Sequence, residues 1–204
     1  MSCVVPNIPP AEEDLVEIPP NSCTPVTFKE LAPEKFNAAW YLKHVAPKLD
    51  AFLSSLETRE QQVYGHINPS AEKKHIHPHQ KVRNVPKAFP EVYEVLKDFV
   101  PTRSDLTFEE LYNEIDAIIR PIKYIGELAV YDITLRVGWN LPNPSRPESL
   151  VYLHQGAKTG AELLLGRKIK ERYIPYEEIK ELVAPLTKSH HIEDFLCLYH
   201  MKNN

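Results

Sequence analysis

From Phe28 onward the apolar residues of this chain recur three, four and seven places apart, a spacing that suits helices and little else. Leu49, Phe52, Leu53 and Leu56 fall on one face of a helix opened by Pro47, whose missing amide donor is harmless in a first turn. Val92, Val95, Leu96 and Phe99 repeat the pattern behind Pro90, read here as the residue that opens its helix. Thr107 and Glu110 have the spacing of a capping box ahead of Phe108, Leu111, Ile115 and Ile118. Another helix is expected over about residues 33–44, and others after Gly126, Gly156, Pro175 and Ser189. The β-branched alternation of strands is nearly absent, and 6 glycines in 204 residues fit helices joined by proline-marked turns. The expectation is an all-α chain, with about eight helices in one compact domain over residues 28–204 and no convincing sheet.

Residues 1–27 are of another kind. Prolines crowd them, and the acids Glu12, Glu13, Asp14, Glu17 and Glu30 against Lys29 place the whole formal charge of -4 in residues 1–32. Such a composition buries too little apolar area to offset ordering, so an acidic tail is expected, disordered or laid across the body, adding little to stability. The rest of the chain is formally neutral, and the acidic average therefore excludes no nucleic-acid partner. No apolar run approaches the ~20 residues that cross a bilayer, and the start lacks a basic segment followed by an apolar one. The expectation is a protein with no membrane partner, cytoplasmic, or nuclear if eukaryotic. Cys3, Cys23 and Cys197 have no C-x-x-C spacing, which argues for reduced thiols over a disulfide framework or thiolate zinc site.

Between the helix starting at Thr107 and the one starting at Gly126 there is room only for a tight turn through Pro121, with Ile122, Lys123, Tyr124 and Ile125. Amides at the start of a helix have no intrahelical partner and lie at the positive end of its dipole, so they suit a phosphate oxygen. At Tyr124, Ile125 and Gly126 the chain resembles the helix-hairpin-helix proteins, and among them the helix-hairpin-helix DNA glycosylase superfamily. The family's hairpin reads apolar-Gly-apolar-Gly; here the second glycine is Gly126 and tyrosine stands in place of the first. The order that follows, an apolar helix, a loop, the apolar Val151, Tyr152 and Leu153, and a helix from about Gly156, also resembles the family, over roughly residues 105–170. The resemblance implies a helical fold and backbone contact with DNA. The family's catalytic aspartate and lysine positions hold Leu153-His154 and Leu128 here, so neither residue carries over. His154, Asp132 and Lys158 are the nearest groups for acid, base or nucleophile work. Asp132 and Arg136, one turn apart, also read as an ion pair across the helix surface.

Two further stretches carry chemistry. Residues 65–87 hold His66, His75, His77 and His79 with Lys73, Lys74, Lys81, Arg83 and Lys87 against Glu72, a basic loop suited to phosphates, with Lys81 and Arg83 as contacts. His75, His77 and His79 are metal-ligand candidates, but nothing in the loop completes a ligand set, and no metal or other cofactor is assigned. In residues 151–166 the small Gly156, Ala157, Gly160 and Ala161 read as a close helix contact, and the spacing of a nucleotide-binding P-loop is missing. His154 at the helix entrance is an acid–base candidate or a capping residue. Ile192, Phe195, Leu196 and Tyr199 mark a C-terminal docking helix. The functional expectation is a nucleic-acid binder, DNA by the resemblance, contacting phosphates through Gly126 and the basic loop, with a glycosylase-like activity as its enzymatic form. The competing reading is a non-catalytic protein-interaction or regulatory module in which the hairpin is structural and the proline-rich tail is the docking peptide.

Overall fold

The computed structural model describes residues 31–65 and 85–203, and in addition the paired two-residue strands β1 (Leu15–Val16) and β2 (Val26–Thr27). The remainder of the acidic segment, and His75, His77, His79, Lys81 and Arg83, lie outside the described residues. Among the described residues the chain is all-α apart from two short antiparallel ladders, β1 with β2 and β3 (Leu150–Tyr152) with β4 (Tyr173–Pro175). The helices are α1 (Ala38–His44), α2 (Ala46–Ser54), α3 (Arg59–Tyr64), α4 (Val85–Leu96), α5 (Phe108–Ile119), α6 (Glu127–Trp139), α7 (Gln155–Leu165), the short α8 (Tyr176–Ile179) and α9 (Ser189–Asn203). Among the described residues none is long and apolar enough to cross a membrane.

Local signals explain most of these starts. The Thr107 hydroxyl accepts from the Glu110 amide while the Glu110 carboxylate accepts from the Thr107 amide, the reciprocal cap expected for α5. Thr58 and Gln61 do the same for α3, a helix that the apolar spacing alone does not show. Pro90 does not open its helix. The helix α4 begins at Val85 and Pro90 lies inside it.

Helix α6 is the axis of the molecule. Every residue from Ala129 to Trp139 is buried, because Val130, Ile133 and Val137 pack with α4 and α5 while Tyr131, Leu135 and Trp139 pack with Leu49 and Leu53 of α2 and with Tyr152. A second core gathers α1, α7 and α9 around Tyr41, Ala157, Ala161, Ile192, Phe195 and Leu196. The small residues of α7 are needed there. A Cβ on Gly160 would run into the Leu196 carbonyl, and one on Gly156 would lie 2.7 Å from Cys197 Sγ. This is the close helix contact expected from their spacing.

Candidate functional site

Two places in this fold concentrate polar chemistry, one exposed at the start of α6 and one buried between α2, α6 and α9.

The connection from α5 to α6 is anchored by the buried Ile122 and Ile125 and presents Lys123, Tyr124 and Gly126 outward. Tyr124 has φ 75, the left-handed region that costs a non-glycine residue about 1 kcal/mol or more of strain. Lys123 Nζ lies 5.0 Å from the Tyr124 ring centroid. Gly126 is the N-cap of α6 with extended backbone, so no side chain caps the helix, and an added Cβ would meet nothing within 4 Å. The first helical bond runs from the Val130 amide to the Gly126 carbonyl, which leaves the amides of Glu127, Leu128 and Ala129 without intrahelical acceptors.

A basic stretch meets this helix start. Arg172 Nη2 lies 2.8 Å from Glu127 Oε1, and the Arg172 carbonyl accepts from the Leu153 amide at 2.7 Å. Lys158 Nζ donates to the Lys170 carbonyl at 3.3 Å. Residues 167–172 read Arg-Lys-Ile-Lys-Glu-Arg, four bases against one acid. Arg172 thus reaches the first turn of α6 beside Tyr124 and Gly126, while Lys158 reaches the backbone of the same basic stretch at Lys170. The charge run is plain in the sequence, but its place beside Gly126 depends on the β3–β4 ladder that precedes and follows α7.

The interior differs from expectation. Asp132 and Arg136 are each 1% exposed, so they form no surface pair: α6 is covered all round. His154 is buried at the N-cap of α7, where its side chain makes no capping bond, and its ring lies 5.0 Å from that of Tyr131. Burial raises the Tyr131 phenol far above its ordinary value, and the carboxylates of Glu193, Asp132 and Asp194 push it further. Asp132 and His154 therefore share the surroundings of Tyr131 with two acids of α9 that no sequence motif marks. Lys158 does not join them.

The start of α9 carries the tightest cluster. Asp50 Oδ1 lies 2.7 Å from His191 Nε2 and 3.0 Å from His190 Nε2, and Asp50 Oδ2 accepts from Lys188 Nζ at 2.6 Å. Burial works to raise the Asp50 carboxyl, yet the hydrogen bonds from His190, Lys188 and His191 prevail and hold it well below the usual carboxylate range. Burial lowers both histidines, His191 to about 4, with His190 beside it adding to the effect. Both rings are neutral near pH 7. The His190 ring packs edge-on to Trp139 at 5.1 Å, Trp139 Nε1 donates to Ser54 Oγ at 3.0 Å, and the Arg146 guanidinium stacks 3.8 Å above the indole. Tyr41 donates to Asp194 Oδ2 at 2.8 Å and sets its ring 6.2 Å from His191. The doublet His190-His191 is the available sequence signal, and Asp50 lies about 140 residues away from it. No family model, no curated protein and no solved structure matches this chain.

Proposed function

We propose that this chain binds nucleic acid through its phosphates, at the surface formed by the first turn of α6 and residues 167–172. The observation that carries the reading is the contact of Arg172 with Glu127, which sets a basic stretch beside a helix start whose cap is an unobstructed glycine. The amides and the helix dipole there offer donors to an anion without reading bases, and Arg172 offsets the carboxylate of Glu127 in the same turn. The left-handed backbone of Tyr124 supports it as well, since that is where the helix-hairpin-helix families resembling this chain have their first glycine. Lys81 and Arg83 belong to the same reading on their sequence alone. The reading concerns binding; of the candidates for chemistry, Asp132 and His154 are buried and Lys158 is half-buried.

Fluorescence anisotropy with labelled single-stranded and duplex DNA and RNA at two salt concentrations tests it. The full chain binds at low salt, weakens steeply with added salt and shows little preference among sequences. Gly126→Val keeps the fold, because the space is open and φ is ordinary, and blocks the amides. Lys170→Glu with Arg172→Glu weakens binding uniformly and lowers the salt slope by about one for each phosphate that is no longer neutralised. A parent that binds no nucleic acid at low salt, or folded variants that bind as the parent does, would sink the reading.

A further inference from the structure

We propose that Asp50, His190 and His191 form a site for one divalent transition-metal ion of the zinc class. The site is independent of the phosphate surface.

Among the described residues, these three each bring one ligand atom to within 4.8 Å of the others. Two imidazoles aim Nε2 at the same carboxylate oxygen. Around a tetrahedral ion with bonds of about 2.0–2.1 Å, ligand atoms are about 3.3 Å apart. The observed 2.7 and 3.0 Å need to open by only a few tenths of an ångström. Asp50 provides that freedom: its side chain is 26% exposed, whereas those of His190 and His191 are 2% and 4% exposed. The same exposure gives an ion its way in.

The chemistry of the donors selects the ion. Imidazole nitrogens suit zinc, cobalt, nickel or copper, whereas magnesium and calcium take oxygen ligands. A ligand imidazole binds the ion through a ring nitrogen lone pair, and Nε2 of both rings faces the place that the ion would take beside Asp50 Oδ1. Lys188 occupies Oδ2 and leaves Oδ1 to the ion, so the carboxylate binds through one oxygen and its partner amine orients it. Trp139 and Tyr41 fix the two rings from behind. Three protein ligands leave a fourth position open, and with Lys188 and Arg146 close by, an anion or hydroxide suits that position.

The ligands are not equivalent. Binding through Nε2 moves the ring proton to Nδ1, and His190 Nδ1 is buried with no hydrogen-bond partner among the described residues. His191 and Asp50 therefore contribute more to affinity than His190.

The experiment is equilibrium dialysis of the full chain against zinc, with cobalt absorption spectra and thermal melts. One zinc per chain is expected, with visible cobalt bands of nitrogen and oxygen coordination and a melting temperature that rises with zinc. His191→Gln keeps volume and a donor to Asp50 and should weaken zinc by about 100-fold or more. Asp50→Asn should do the same, and His190→Gln should weaken it less. The triple variant His75→Ala, His77→Ala, His79→Ala keeps the ion. Metal-free melts establish that each variant is folded. The proposal fails if the folded parent takes up no zinc or cobalt. It also fails if His191→Gln retains the ion while the triple variant loses it, which would move binding to the histidine-rich loop. These outcomes do not depend on nucleic acid, so they separate from a failure of the phosphate reading.

Discussion

Between α4, α5 and α6 the interior is filled by Phe89, Val92, Leu96, Leu111, Ile115, Ile119 and Val130, whereas around α9 it contains Tyr41, His190, His191, Glu193 and Asp194 at equally low exposure. Helix α6 borders both, with Ile133 and Val137 in the first and Trp139 against His190 in the second. Burial alone therefore does not tell what holds a region. In the apolar part stability comes from area removed from water and from packing, which respond to volume and not to pH. In the polar part burial is unfavourable unless each group has its partner, so hydrogen bonding decides and protonation matters.

The largest effect expected is in the apolar part. Ile115→Ala removes a fully buried side chain on α5 and should cost about 2–5 kcal/mol in denaturant melts, the spread reflecting how far the site can collapse. The cost should be the same at pH 7 and pH 5. A strong pH dependence of this variant would break the distinction, since no side chain that titrates between those values belongs to that cluster.

Next comes acid. His191 titrates near 4 in the folded protein and at its ordinary value of about 6.5 when unfolded, so between those values the unfolded chain holds more protons. Stability then rises with pH across that window and is lost as pH falls through it, by on the order of 2–3 kcal/mol for His191. His190 acts in the same direction. Asp50, lowered by its partners, contributes stability that is present above its ordinary value and is lost only in stronger acid. Melts of the parent and of His191→Gln at pH 7, 6 and 5 check this: the variant's curve should be flatter. Equal slopes would place the acid response elsewhere.

What can be read from the sequence follows the same division. Periodic apolar residues, the Thr107–Glu110 cap and the small residues of α7 each report a local or one-sided constraint, and the structure has the cap and the small residues as expected, whereas of the stripe behind Pro90 Val95 is exposed and Phe99 lies past the end of α4. The helix α3 is hidden from apolar spacing because its signal is a cap, Thr58 with Gln61, without a long apolar stripe. On α9 the stripe of Ile192, Phe195 and Leu196 is legible, and the burial of its polar complement His190, His191, Glu193 and Asp194 is not. Periodicity detects a helix buried on one side, and α9 is buried on all sides from Ser189 to Leu198. The candidate sites are legible to the same extent. Gly126 is where a helix starts, as its position implies, but the approach of Arg172 and the convergence of Asp50 on two distant histidines are properties of the tertiary fold.

A smaller effect is expected for Tyr41→Phe, which keeps volume and removes one hydroxyl. That hydroxyl donates to the buried Asp194, so its loss leaves a carboxylate short of a donor and should cost about 1–3 kcal/mol. Urea titration at pH 7 measures it. A loss under about half a kcal/mol would mean that Asp194 is satisfied without Tyr41.

The smallest effect, and the sharpest control, is Tyr131→Phe. Tyr131 is as deeply buried as Tyr41 and packs against His154 and Tyr152, but its hydroxyl has no hydrogen-bond partner among the described residues. Removing an unpartnered buried hydroxyl relieves its desolvation penalty while the ring contacts remain, so the variant should be neutral or up to about 1 kcal/mol more stable. The same substitution at two buried tyrosines is thus expected to have opposite signs, and their difference measures the hydrogen bond instead of the ring. Were Tyr131→Phe to cost as much as Tyr41→Phe, the Tyr131 hydroxyl would have a partner beside Glu193 and Asp132.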